Sequence, residues 1–293
     1  MGMERTDYLL ERRLKETAPE LHRIFSDTGF VLQRILDRYR ILFPEFTDHT
    51  QLHCVTVIDF CNVLVGPERI LEMNADEIYV LLMGAYLHDT GMAVTPKDLK
   101  DFKERIDYGD FYETHPDADD ADFVREFHHD LSGLFIKKYA ELFDIPSERH
   151  IQAIVQVSRG HRRTDLFDPV EYPSDFTLDN GNTVCLPYLS ALIRLADEID
   201  VAESRNPVLL YDLEAIVDHR SLLEHLKTKG IKSLVTTDDA FTLVVDDEPK
   251  DIMDEIEEMR KKMQKTLDYC RDVTEKRTSF RITQQRVDIK NLT

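Results

Sequence analysis

The chain has no Trp, only 10 Gly among its 293 residues, and 37 basic side chains against 57 acidic ones. Each shortage excludes something. Gly at about half its usual share argues against a turn-rich β protein and for long helices. No apolar run approaches the roughly 18–20 residues that cross a bilayer, so neither a spanning helix nor a membrane partner is expected. The N-terminal MGMERTDYLLERR has no apolar signal core, and the four cysteines, Cys54, Cys61, Cys185 and Cys270, form no CxxC pair. A reducing cytoplasm is the expected location. The net charge of −20 repels phosphate backbones, which disfavours a long nucleic acid as partner. HExxH, GxSxG and GxxxxGK[ST] are also missing.

What is present is an apolar share of 42%, enough for a folded core, in a length suited to one large domain or two modest ones. Helical spacing of apolar residues predicts helices over Leu9–Leu42, Thr50–Val65 and Glu77–His88. The third is apolar on nearly every side and so belongs in the middle of a domain, with Gly91 available as a left-handed cap. Lys97–Asp122 is polar and acidic and reads as a loop or insertion. Helices are expected again over Asp122–Phe143, Ser147–Arg159 and Pro187–Ala202, with DLFDPVEYPSDFTLDNGNTV (165–184) as a long excursion of lid or partner-surface type. After residue 205 the texture changes to a helix near Tyr211–Lys229, two β-rich runs around Asp238-Asp239, a long amphipathic helix over Pro249–Lys276 and an alternating run to Leu292. The expected fold is therefore mainly α, a helical domain over residues 1–205 with a small α+β appendage over 206–293. The final run ends abruptly, as expected of the N-terminal piece of a longer protein. The stripe Ile252, Ile256, Met259, Met263, Leu267 suits either a cover for the small sheet or a second copy in a homo-oligomer.

His and Asp fall where helices enter or leave this core. His53 lies beside the stripe Cys54, Val57, Cys61, Leu64; His88-Asp89 ends the buried helix; His128-His129 precedes Ser132; His161 follows the helix Ile151–Val157; Asp197 edges the face of Leu189, Ile193 and Ala196. Singly, a His at a helix C-terminus satisfies orphan carbonyls and the dipole without any metal. Periodicity alone would prefer Asp200 to Asp197, and substitution of Asp200 is expected to leave metal content largely intact. Several imidazoles and two carboxylates converging on one core need a counter-charge, because unpaired buried ionisable groups are expensive. A divalent metal supplies it.

The set His53, His88-Asp89 in LMGAYLHDTGM, His128 in FHHDLS, His161 in SRGH and Asp197 in LADEIDVAESR resembles the HD superfamily of metal-dependent phosphohydrolases, and most of all its HD-CE branch. The resemblance covers roughly Pro44 to Arg205. It implies a helical HD core with one ion held by His53, His88, Asp89 and Asp197, and, in two-metal members, a second held by Asp89 with His128 and His161. His128 is preferred to His129 because its spacing of four to Ser132 puts both on one helix face. Met92 stands where many members carry a lysine, so one cationic phosphate contact is missing. Some HD-CE members precede a GHKL-type ATPase domain, which makes such an ATPase an expected attached or associated partner.

The expected cofactor is one or two divalent transition metal ions, Mn, Fe, Co, Ni or Zn, since imidazole suits these better than Ca or bare Mg. The expected activity is hydrolysis of a phosphate ester of a nucleotide or other small molecule, with His88 and Asp89 in the catalytic centre. Arg162 and Arg194 are further catalytic candidates, and Arg159, Arg162, Arg163 and Arg205 candidates for holding the phosphorylated substrate through bidentate guanidinium contacts. Two alternatives use the same ligands: a metal-containing, nucleotide-binding regulatory module with little turnover, and a di-iron oxygenase.

Overall fold

A computed structural model describes residues 9–44, 50–201, 216 and 219–292. In chain order its helices are α1 (Leu9–Thr17), α2 (Pro19–Leu36), α3 (Gln51–Val65), α4 (Pro67–Glu72), α5 (Ala75–Leu87), α6 (Pro96–Lys103), α7 (Phe111–Thr114), α8 (Asp120–Tyr139), α9 (Glu148–Arg159), α10 (Leu186–Ile199), α11 (His219–Gly230) and α12 (Lys250–Arg277). A short hairpin pairs β1 (Phe176–Thr177) with β2 (Thr183–Val184), and a three-stranded sheet orders β3 (Ile231–Thr236), β4 (Ala240–Val245) and β5 (Arg286–Asn291) side by side. The fold is mainly α. No helix among the described residues is long and apolar enough to cross a membrane.

The centre is α5. Asn74 and Glu77 satisfy each other's backbone N–H groups in a reciprocal cap that fixes where the helix begins. Every residue from Asp76 to Leu87 is buried, against α1, α2, α3, α9 and α10. Gly84 makes the closest approaches possible, since a Cβ there would lie 2.8 Å from Val157 Cγ1 and 3.0 Å from Ile193 Cδ1. Thr50 and Ser147 cap α3 and α9 by accepting from the N–H groups of Leu52 and His150.

The structure differs from the sequence expectations in particular places. The helix expected over Leu9–Leu42 is cut at Ala18, because Pro19 has no N–H to continue a ladder and instead starts α2, which tightens into a 3-10 turn at Asp37–Ile41. The supposed loop over 97–122 contains α6 and α7. Thr95 accepts from the Asp98 N–H and Pro96 occupies the first turn, a start signal that the acidic composition masked. Gly91 has no positive φ; it is small because a Cβ there would sit 2.1 Å from the His128 carbonyl oxygen. The residue-205 boundary, the start of the expected Tyr211–Lys229 helix and the end of the Pro187–Ala202 helix lie outside the described residues.

In the C-terminal part β3 and β4 form the expected antiparallel hairpin, and β5 returns parallel to β4 because α12 is the crossover between them. The helix packs on β5, α11 and α10, which buries Ile252, Ile256, Met263 and Leu267 within the chain. Lys262 pairs with Glu198 at 2.9 Å, and Arg277 donates to the carbonyls of Leu166 and Tyr172, both at 2.8 Å. The 165–184 excursion is thus pinned from behind by α12.

At its far end the excursion is held by Asp76. Its Oδ1 accepts from His150 Nε2 at 2.9 Å, and its Oδ2 from the amides of Asn180 and Asn182 at 3.0 and 2.7 Å. The His150 bond outweighs burial and, with the two amides, holds the Asp76 carboxyl at about 2. A carboxyl depressed on folding stabilises above its unfolded pKa and loses that contribution as pH falls through the folded value. Asp76→Asn should cost about 1–3 kcal/mol in urea unfolding at neutral pH. The gap to wild type should close as pH falls from about 4 to about 2; a constant gap over that range would contradict the assignment.

Candidate metal centre

Five segments deliver one set of side chains. His53 comes from α3, His88 caps the C-terminus of α5 with Asp89 next to it, His128 lies on α8, His161 stands two residues beyond α9, and Asp197 is near the end of α10. His53 Nε2 is 3.2 Å from His88 Nε2, 3.1 Å from Asp197 Oδ1 and 3.6 Å from Asp89 Oδ2. His88 Nε2 is 3.4 Å from the same Asp89 oxygen and 3.8 Å from Asp197 Oδ1. The other oxygen of Asp89, Oδ1, lies 3.7 Å from His128 Nε2 and 3.8 Å from His161 Nε2, and those two nitrogens are 2.9 Å apart. Asp89 thus stands between two groups, one oxygen toward each.

The second ring nitrogens decide what this means. His88 Nδ1 faces the Ala85 carbonyl at 2.7 Å, His128 Nδ1 that of Arg125 at 2.8 Å, and His161 Nδ1 that of Ser158 at 2.5 Å, in each case the carbonyl three residues back. His53 Nδ1 faces Asp200 Oδ2 at 2.7 Å. Carbonyls and carboxylates only accept, so each Nδ1 carries the proton and each Nε2 presents a lone pair. Two such nitrogens 2.9 or 3.2 Å apart repel unless a cation lies between them and the nearby carboxylate. An ion held at about 2.1 Å with tetrahedral or octahedral angles spaces its donors by roughly 3.0–3.4 Å, which the observed separations bracket. The donor set therefore fits a divalent metal ion.

Electrostatics separate the two groups. Burial pushes His128 down to about 4 and His161 well below its ordinary value, so both stay neutral, as ligands must. Burial also opposes charge on His88, but Asp89 and Asp197 outweigh it and raise that residue. Asp197 is held well below the ordinary carboxylate range, its burial overcome by His53, His88 and His161.

The support is as ordered as the ligands. Ser132, one turn after His128, donates to the His88 carbonyl at 2.5 Å and accepts from the Gly91 N–H at 2.8 Å, locking the His-Asp corner to α8. Asp200, whose loss was expected to leave metal content largely intact, orients His53, so both aspartates of LADEID serve the site from opposite sides of one ring. That role was not readable from spacing, which pitted the two against each other. His129 turns away, its Nε2 3.5 Å from Asp130 Oδ2 and its buried Nδ1 without a hydrogen-bond partner among the described residues. Met92 is buried in the core.

The arginines differ in what engages them. Arg159 is paired with Asp130 at 2.8 Å and Glu171 at 2.5 Å. Arg194, a catalytic candidate in the sequence, donates from Nε and Nη2 to the carbonyls of Gly160, Arg162 and Thr164. Arg163 is exposed and paired with Glu126. Arg162 makes no side-chain hydrogen bond or ion pair among the described residues, and its charge helps depress His128. With Arg125, Arg163 and His115 it lines a cleft of about 440 Å³. Arg205 lies outside the described residues.

The family model HD-CE matches residues 43–279, a range that includes all the ligands described above and runs on through α12. Nothing matches among curated proteins or among solved structures.

The geometry makes graded predictions for elemental analysis after dialysis against a weak chelator. Asp89→Ala should lose metal from both groups, whereas His128→Ala should lose it only from the group it shares with His161. Asp200→Ala should keep every ligand yet weaken metal affinity roughly 10–100-fold. Full occupancy in Asp89→Ala would refute the assignment.

Proposed function

We propose that this chain, which belongs to the HD-CE family, is a metal-dependent hydrolase of phosphate esters acting on a nucleotide or another small phosphorylated molecule. The observation that carries the reading is the convergence of four Nε2 lone pairs on the two oxygens of Asp89. His53, His88, Asp89 and Asp197 would hold one ion, and Asp89, His128 and His161 a second, drawn from Mn, Fe, Co, Ni or Zn. Divalent ions held there supply Lewis acidity, making a water more acidic and offsetting charge on phosphoryl oxygens.

The chain's own part follows from where its protons and charges are fixed. The Nδ1–H groups of His88, His128 and His161 donate to backbone carbonyls, which holds these rings with Nε2 toward the site. Asp197, with 17% of its side chain exposed against 4% for Asp89, is the more open carboxylate and marks the side from which water and substrate reach the centre. Arg162 beside His128 offers a planar, permanently charged fork for phosphoryl oxygens. Its cleft mixes Arg125, Arg163 and His115 with Asp117, Asp122 and Glu126, on a chain of net charge −20, a distribution suited to a small anion and unsuited to a polyanion.

The test is a panel of nucleotides and an aryl phosphate supplied with Mn under anaerobic conditions. Turnover is expected from wild type, with a loss of at least about a thousandfold in Asp89→Ala and about 10–100-fold in Arg162→Ala, chiefly in KM. Arg159→Ala should fall by less than about threefold. Tight nucleotide binding without phosphate release would support the regulatory module instead, and a strict requirement for dioxygen the di-iron oxygenase.

A further inference from the structure

The turn that carries Arg162 is held in an unusual way. Arg163 has φ +25°, a left-handed conformation that a residue with a Cβ adopts only when its surroundings impose it. One side chain holds the backbone on both sides of it. Arg194, on α10, donates from Nε to the Gly160 carbonyl at 2.7 Å, and from Nη2 to the carbonyls of Arg162 and Thr164 at 3.0 and 2.8 Å. A single guanidinium therefore collects three carbonyls of the segment that displays His161 and Arg162. Gly160 completes the grip: a Cβ there would lie 2.4 Å from Ser190 Cβ, so the turn rests directly on α10.

The other face of Arg194 lies over the ring of Tyr269, on α12, with the guanidinium carbon 4.9 Å from the ring centroid. The Tyr269 hydroxyl accepts from the Leu166 N–H at 2.7 Å and reaches Asp165 Oδ1 at 3.2 Å. The C-terminal helix thus fixes the far end of the same turn and backs the side chain that fixes its near end. His161 has its own tether, the Ser158 carbonyl. Arg162 has none for its side chain among the described residues, so its position depends on the backbone of the turn.

We infer that Arg194 and Tyr269 are positioning residues that act through Arg162, and that α12 by this route governs how the site captures a phosphoryl group. The inference rests on the reading of the site as one that handles phosphate. It assigns to the C-terminal segment a part in function rather than in packing alone.

The test uses the full chain loaded with Mn, inorganic phosphate as titrant in calorimetry, and amide exchange of the metal-free protein. Tyr269→Phe keeps the ring under Arg194 and removes only the hydroxyl. It should leave metal stoichiometry unchanged, speed amide exchange over residues 161–166 and weaken phosphate binding roughly 3–10-fold. Arg194→Lys, able to serve one carbonyl in place of three, should weaken it about 10–100-fold. In an Arg162→Ala background neither substitution should weaken it further, because residues acting through one group are not additive. Additive losses, or unchanged phosphate affinity and exchange in Tyr269→Phe, would overturn this inference and leave the site reading in place. Failure of the wild-type protein to bind phosphate would overturn both.

Discussion

Four imidazole lone pairs and two carboxylates face one another in a dry core, and this cluster holds together only around positive charge. In water such groups would be solvated separately. Here His53, His88, His128 and His161 are all buried, and their Nε2 atoms approach one another to within 3.2 and 2.9 Å in pairs. Leaving them unpaired would cost several kcal/mol, a sizeable share of what a domain of this size has to spare. A bound cation would supply the missing counter-charge, and the groups that could hold one are the costliest in the core to leave unpaired.

The need to aim those lone pairs explains the architecture around them. Three of the rings use the same device, an Nδ1–H directed at the carbonyl three residues back, which fixes the tautomer with no second side chain. His53 directs its Nδ1–H at Asp200. Small residues then let the bearing segments close in: Gly84 between α5, α9 and α10, Gly91 against α8, Gly160 against α10. None of these three has a left-handed φ. Each is glycine because another backbone or side chain occupies the space of its Cβ, which is a packing reason and not a conformational one.

This distinction also marks the limit of what was legible in the sequence. The helical fold could be read, because apolar spacing and caps such as Asn74 and Ser147 are local signals. So could the grouping of His53, His88-Asp89, His128, His161 and Asp197, whose order resembles a family and whose positions at helix ends made a shared centre plausible. The carbonyl contacts expected of a His near a helix end are present at His88 and His161: one nitrogen of each ring makes them and thereby frees the other. What could not be read was anything set by long-range approach. Asp200 touches a residue 147 positions away. Arg159 and Arg194 looked like phosphate ligands by proximity in sequence to His161 and Asp197, yet their partners, Asp130 and the carbonyls of the 160–164 turn, come from elsewhere in space. The break at Pro19 was a local signal that the strong apolar spacing on either side obscured.

Charge placement connects these observations. The net of −20 is spread over the surface, and around the metal ligands most cations are already engaged: Arg159 by two carboxylates, Arg163 by Glu126, Arg194 by backbone carbonyls. A centre bordered by many free arginines would capture any polyanion. Arg162 makes no side-chain hydrogen bond or ion pair among the described residues and shares its cleft with Arg125, Arg163 and His115, on a turn whose backbone is held from α10 and α12. Under the phosphate reading, selectivity for a small ligand would rest less on the acidic surface than on how few of the nearby guanidinium groups the fold leaves to bind it.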